Sequence, residues 1–76
     1  MIETIGNRAV IAIKDRANKN GISLHLEAKK IGIDARSTTL WSQNGNPSAY
    51  YLQQMALAGY DVIWILTGKE SNNVKD

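Results

Sequence analysis

The chain has 76 residues, a formal net charge of +2 and no cysteine. It has room for one domain and can form neither a disulfide nor a thiolate metal site. No apolar run is long enough to predict a membrane span, and the N-terminus lacks a signal-peptide pattern, so we expect a cytoplasmic protein. The mildly basic balance permits nucleic-acid binding without demanding it.

Positive charge is concentrated in the first half of the chain. Residues 8–36 hold seven basic side chains against three acidic ones. Residues 37–68 hold no Lys or Arg and one acid, Asp61.

Glycines and polar residues divide the chain into five short helical segments. A glycine, the residue that most often ends a helix, follows each segment at Gly21, Gly32, Gly45, Gly59 and Gly68. Residues that can cap the next helix follow within one or two positions, at Ser23, Asp34, Asn46 and Asp61. Pro47 suits a first helical turn. The pattern predicts helices over residues 4–20, 23–31, 34–44, 46–58 and 61–66.

The first two segments each show one apolar side. In the first, the stripe at helical spacing comprises Ile2, Ile5, Ala9, Ile13 and Ala17, and Ile11 lies opposite it. In the second, Leu24, Ala28 and Ile31 share a side that Leu26 points away from, with Glu27 at its edge. Both helices are predicted to pack against a core by these stripes.

The last three segments differ in polarity. The third carries Leu40 and Trp41 but is otherwise polar, whereas the fourth aligns Leu52 with Met55 and the fifth is short and apolar after Asp61. No alternation typical of a β-strand occurs, so the predicted fold class is all-α. We expect one domain over residues 1–68 and a polar C-terminal tail over residues 69–76.

The second and third segments form the most informative pair. Only Gly32 and Ile33 separate them, which predicts two short helices crossing steeply, as in a helix-turn-helix. The third segment offers hydrogen-bonding side chains at Arg36, Ser37, Thr38, Thr39 and Gln43. A helix with many polar groups around one anchoring tryptophan is suited to the major groove of DNA.

Several sequence pieces, in order, carry a family resemblance. They are "AKKIGI" at residues 28–33, Trp41, "NPSAYYL" at residues 46–52, Gly59 and "WILTG" at residues 64–68. The chain resembles the lambda-repressor-like helix-turn-helix regulators of phages and bacteria, the Cro and repressor group. The family usually has an apolar residue where Glu27 stands and a polar one where Leu26 stands. Thr38 occupies a place that is commonly aliphatic.

The resemblance implies a compact five-helix lambda-repressor-like domain with a central helix-turn-helix. It implies a repressor-like transcriptional regulator, from a phage or prophage, that binds a short two-fold symmetric operator in double-stranded DNA as a homodimer. Base contacts are then expected from the third helix, at Asp34, Ala35, Arg36 and Leu40. Arg36 is the strongest of these because a guanidinium can bond a guanine edge with two hydrogen bonds.

The resemblance also implies contacts outside the base edges. DNA backbone contacts are expected at Ser23, Leu24, Ser37, Thr39, Gln43, Asn44, Asn46 and Ser48. Attraction to phosphate is expected from Arg8, Lys19, Lys29 and Lys30 if they face the DNA. A dimer interface is expected on the fifth helix and the residues before it, at Tyr60, Val62, Ile63 and Trp64.

Other readings stay open beside this one. Arg36 can instead pair on the surface with Asp34 or Glu27. Ile11 and Leu26, apolar and off the core stripes, allow a protein-interaction module, such as an antirepressor, modulator or antitoxin-like partner of another regulator. RNA binding is the weakest alternative, because no sheet offers aromatic stacking platforms.

The sequence gives no reason to expect an enzyme. His25 is the single histidine, cysteine is absent, and the carboxylates are scattered singly. No nucleophile, base and orienting group come together in a recognisable pattern. We therefore expect no catalytic site, no metal and no cofactor.

Overall fold

The computed structural model describes residues 3–69, and this part of the chain contains five helices and no strand. The helices are α1 (Ile5–Asn20), α2 (Leu24–Lys30), α3 (Ala35–Gln43), α4 (Ala49–Leu57) and α5 (Val62–Thr67). The predicted all-α class is confirmed. Ile2 and residues 70–76, most of the predicted tail, lie outside the described residues.

Four of the five helices have a polar side chain that caps their N-terminus. The side chains of Thr4, Ser23, Asp34 and Asp61 each accept a hydrogen bond from the backbone N–H three residues later, at 3.0, 3.2, 2.9 and 3.0 Å. Such a cap satisfies an N–H group that has no partner within the helix. The three of these caps that the sequence predicted, at α2, α3 and α5, are confirmed.

The predicted start of the fourth helix is wrong. α4 begins at Ala49, and its N-cap residue is Ser48 rather than Asn46. The side-chain carbonyl Oδ1 of Asn46 instead accepts a hydrogen bond of 3.3 Å from the backbone N–H of Gly6 in α1. The side-chain oxygen of Asn46 is thus used in a tertiary bond, and residues 44–48 form a loop in which Pro47 is buried.

The long helix α1 organises the core. Its buried stripe, Ala9, Ile13 and Ala17, matches the predicted spacing, and it contacts α2, α3 and α5. Met55 from α4 and Ile65 from α5 complete the same buried cluster. The helices α2, α3 and α5 are therefore held by packing on α1, and α4 by its contact with α5, rather than by their own stability, which is marginal at such lengths.

Glu27 lies deeper than its predicted place at the edge of the α2 stripe. It is only 4% exposed, whereas Leu26 is 55% exposed and faces away from the core as predicted. The Glu27 carboxylate accepts a hydrogen bond of 2.9 Å from Asn20 Nδ2 and lies 3.6 Å from the Lys30 ammonium. Buried charge is tolerated when it is paired in this way.

Candidate nucleic-acid interface

The first turn of α3 is fixed by Asp34. One carboxylate oxygen, Oδ1, accepts the backbone N–H of Ser37 at 2.9 Å. This hydrogen bond, with the nearby charge of Arg36 as a smaller contribution, holds the pKa of Asp34 below its ordinary value. The carboxylate that was predicted to contact a base therefore also caps the helix that would enter the groove.

The inner side of α3 consists of Thr38 and Trp41. Trp41 is 4% exposed and meets the ring of Tyr51 edge-on, with 5.4 Å between centroids. Thr38 is 2% exposed, and its hydroxyl donates to the carbonyl of Ala35 at 2.9 Å. A threonine is accommodated where the family resemblance leads one to expect an aliphatic residue, because its hydroxyl finds a partner within its own helix.

The outer side of α3 is polar and carries no acidic residue. Its exposed side chains are Ala35, Arg36, Thr39, Leu40, Ser42 and Gln43. Helical spacing places Arg36, Thr39, Leu40 and Gln43 on the side away from the buried pair Thr38 and Trp41, with Ala35 and Ser42 at its edge beside Thr38. The structure thus brings three of the four predicted base-contact residues onto one face, together with the predicted backbone-contact residues Thr39 and Gln43.

Arg36 is the single charged residue on that face. Among residues 3–69 it makes neither a hydrogen bond nor an ion pair. Of its two suggested surface partners, Glu27 is buried against Asn20 and Lys30, and Asp34 is engaged at the helix cap. The guanidinium is therefore free to bond an incoming ligand.

The other arginines have structural roles. Arg8, which was expected to attract phosphate, donates to the carbonyl groups of Ile65 and Leu66 at the end of α5. Arg16 donates to the carbonyl of Ala58 at 2.7 Å and stacks over the ring of Tyr60. Among the basic residues expected to attract phosphate, Lys19 and Lys29 are exposed, whereas Lys30 is partly engaged by Glu27.

The loop after α3 is tied to the start of α1. The Asn7 amide Nδ2 lies within hydrogen-bond distance of the carbonyls of Trp41 and Ser42, at 3.4 and 3.2 Å. Because Asn46 uses its oxygen on Gly6, its exposed Nδ2 group remains available as a donor, which is the polarity that a phosphate needs. Sequence reasoning missed Asn7, since its role depends on a contact between distant segments.

The remaining predicted backbone-contact residues differ in accessibility. Ser23, Asn44 and Ser48 are exposed, whereas Leu24 and Ser37 are half-buried. The side chain of Ser23 also caps α2. Leu24 packs against the core, so only its backbone and part of its side chain can meet a ligand.

The predicted dimer residues also divide by exposure. Ile63 is 48% exposed, Val62 and Trp64 are half-buried, and Tyr60 is 8% exposed within the core. Tyr60 therefore offers the least surface of the four. Leu66, one turn after Ile63, is 41% exposed and was missed, although it belongs to the same apolar run.

No group of three or more His, Cys, Asp and Glu side chains within residues 3–69 is placed to hold a metal ion. In the same part of the chain, no helix has the length and apolar character needed to cross a membrane.

Comparisons with known proteins do not assign this chain to a family. No family model matches the chain, and no curated protein or solved structure is significantly similar to it.

Proposed function

We propose that this protein is a sequence-specific DNA-binding regulator of the lambda-repressor-like helix-turn-helix type. In this proposal α2 and α3 form the motif, and α3 lies in the major groove. The observation that carries the proposal is the outer face of α3, where Arg36 makes no hydrogen bond or ion pair among residues 3–69 and stands among short polar and apolar side chains, while the nearby Asp34 is engaged at the helix cap.

The contacts that hold α3 in place favour the same function. Recognition requires side chains held on a rigid element, because a loosely held helix loses specificity. Trp41 anchors the inner side of α3, Asp34 caps its start, and Asn7 holds its end on α1. Residues 31–34 form the short link to α2, and the backbone N–H of Ile33 bonds the carbonyl of Ala28 at 3.0 Å.

The proposed regulator acts as a homodimer on two half-sites about one helical turn apart. The exposed pair Ile63 and Leu66 on α5 supplies an apolar surface for the second copy. Ile63→Asp is expected to weaken binding to a duplex with two half-sites far more than binding to a single half-site. Equal losses on both duplexes would argue against an α5 interface.

Selection from a pool of randomised duplexes tests the DNA-binding function. The enriched duplex is then titrated with the protein at several salt concentrations, since phosphate contacts give a salt-dependent affinity. Arg36→Ala is expected to weaken binding by about 5- to 150-fold, the range that one bidentate base contact provides. The absence of any enriched or salt-sensitive binding would overturn the proposal.

Two matched variants sharpen this test. Arg36→Lys keeps the positive charge but loses the planar pair of hydrogen-bond donors of the guanidinium. The salt dependence of binding should therefore remain, while discrimination at one base pair is lost. Lys14→Ala removes one exposed positive charge from α1, outside the proposed interface, and should change affinity little. An equal effect of Arg36→Ala and Lys14→Ala would reduce the role of Arg36 to general attraction.

A protein-interaction module on the same scaffold is the second candidate. Leu26 on α2 and Ile11 on α1 are 55% and 38% exposed, and neither contributes to the core. A purified complex with another regulator that is lost in Leu26→Ser, together with no DNA affinity of the chain itself, would favour this function.

A further inference from the structure

Leu40 is an exposed leucine on the face proposed to meet DNA. It is 53% exposed, on a helix side that is otherwise mainly polar. Its backbone is firmly held, because its carbonyl oxygen accepts hydrogen bonds from the N–H groups of Asn44 and Gly45 at 3.1 and 2.7 Å. The side chain is therefore presented to the outside from a fixed position.

The position of Leu40 relative to Arg36 sets a spacing. The two residues are four apart, so they are neighbours on one helix face, separated by about 6 Å along the axis. Successive base pairs of DNA are about 3.4 Å apart. A helix that places Arg36 on one base pair therefore brings Leu40 to a base pair one or two steps away.

The chemistry of leucine restricts what it can read there. Among the groups that base pairs present in the major groove, the apolar one is the C5-methyl of thymine. A leucine placed over a hydrogen-bonding edge would remove that edge from water without supplying a partner, which is unfavourable. Contact with a methyl group has no such cost and removes apolar surface of both groups from water.

We propose that Leu40 reads the C5-methyl group of a thymine one or two base pairs from the guanine read by Arg36. This inference rests on the DNA-binding function proposed above and adds a second determinant of specificity to it. The recognised half-site then contains a guanine and a nearby thymine, whose order along the strand follows the direction of α3.

Base analogues that differ by single atoms provide the test. In the enriched duplex, each thymine is replaced in turn by deoxyuridine, which lacks only the C5-methyl group. Each guanine is likewise replaced by 7-deazaguanine, which lacks the N7 acceptor used by an arginine. Affinities are measured by fluorescence anisotropy for the wild-type protein and for Leu40→Ala.

One thymine in each half-site is expected to be sensitive to loss of its methyl group. Deoxyuridine at that position should weaken wild-type binding by about fourfold, the effect of burying one methyl group. Leu40→Ala should bind the thymine and deoxyuridine duplexes equally. The sensitive thymine should lie within two base pairs of the guanine read by Arg36, which is the guanine at which the 7-deaza analogue most reduces the effect of Arg36→Ala.

Leu57→Ala serves as the matched control. Leu57 is 76% exposed on α4, so its truncation removes a comparable surface leucine away from α3. This variant should keep the fourfold preference for thymine. Circular dichroism of both variants checks that the helices are retained, as expected for alanine at exposed helical positions.

The outcomes distinguish thymine recognition by Leu40 from the DNA-binding function on which it rests. Enriched, Arg36-dependent binding with no methyl-sensitive thymine, or with a preference that persists in Leu40→Ala, would overturn the inference alone. The same holds if the sensitive thymine lies more than two base pairs from the guanine. Failure of selection to enrich any duplex would overturn the DNA-binding function itself.

Discussion

The guanidinium of Arg8 donates a hydrogen bond of 2.8 Å from Nε to the carbonyl oxygen of Ile65, joining the first helix to the last. A second nitrogen, Nη2, donates to the carbonyl of Leu66 at 3.2 Å, and Glu3 lies 3.6 Å from Nη1. A positive charge at the end of a helix complements its dipole and its unpaired carbonyl groups. The position of α5, which carries the proposed dimer surface, thus depends on Arg8.

Removal of the Arg8 side chain is expected to destabilise the protein. Arg8→Ala should lower the free energy of unfolding by about 2 kcal/mol, because two charged hydrogen bonds to backbone carbonyls are lost, of which the one to Ile65 is partly buried. Denaturant titration followed by circular dichroism measures the change. Lys14→Ala, which removes an exposed charge from the same helix, should change stability by less than about 0.5 kcal/mol. Equal effects of the two variants would contradict a structural role for Arg8.

Gly6→Ala should be destabilising although alanine is the better helix former. A Cβ at this position would overlap the carbonyl oxygen of Gly45 and lie 2.6 Å from that of Trp41. We expect a loss of about 2 kcal/mol or more, as for overpacking of a tight contact. Asn18→Ala, at an exposed position of the same helix, should instead be neutral or slightly stabilising. Thermal unfolding of both variants tests the sign, and a stabilised Gly6→Ala would show that α1 does not approach the loop so closely.

Tyr60→Phe should stabilise the protein. No hydrogen bond of normal geometry reaches the buried Tyr60 hydroxyl among residues 3–69, although Arg16, whose guanidinium carbon lies 3.7 Å from the ring centroid, is close enough to act on its pKa. Phenylalanine keeps the stacked ring and removes the unsatisfied group, so a gain of about 1 kcal/mol is expected at neutral pH. Chemical denaturation measures this gain, and a destabilised variant would indicate that the hydroxyl has a partner.

The same tyrosine should make stability decline at alkaline pH. Burial raises the pKa of Tyr60 above its ordinary value of 10.0. The unfolded chain therefore loses this proton first, so the stabilising contribution is present below the ordinary pKa and is lost as pH rises through the folded pKa. Tyr60→Phe should show a smaller alkaline loss than the wild type. An alkaline loss in Tyr60→Phe as large as that of the wild type would contradict this assignment.

The cap of α3 should respond to acid. Hydrogen bonding to Ser37 lowers the pKa of Asp34 from 3.8, so the charged carboxylate stabilises the folded state above that value. This contribution is lost as pH falls through the lowered folded pKa. The stability difference between the wild type and Asp34→Ala should therefore shrink in acid. Asp34→Asn, which keeps an acceptor oxygen but has no charge to lose, should show a flatter pH dependence, and parallel profiles for all three proteins would contradict the assignment.

Local sequence signals alone determined much of this fold. The all-α class, the number of helices and the caps at Ser23, Asp34 and Asp61 followed from residue types and spacing over a few positions. The stripe of Ala9, Ile13 and Ala17 likewise identified the buried side of the first helix. These features are readable because each depends on hydrogen bonds or periodicity within one helix.

The sequence predicted only part of the candidate interface on the outer side of α3. The polar third helix and Arg36 were identified from the sequence, but whether Arg36 is paired depended on where Glu27 lies. The sequence placed Glu27 at the edge of a stripe, whereas the folded chain buries it against Asn20 and Lys30. Helical periodicity cannot distinguish an edge from a buried position when the neighbouring helix decides which residue it covers.

The tertiary structure alone decided the features that join distant segments. Asn46 was predicted to cap α4, but a backbone N–H from α1 takes its side-chain oxygen, and α4 starts at Ala49. Arg8 was expected to attract DNA, but the unpaired carbonyls at the end of α5 bind it. A side chain with several possible partners takes the one that folding brings nearest, and that choice is not encoded in its immediate neighbours.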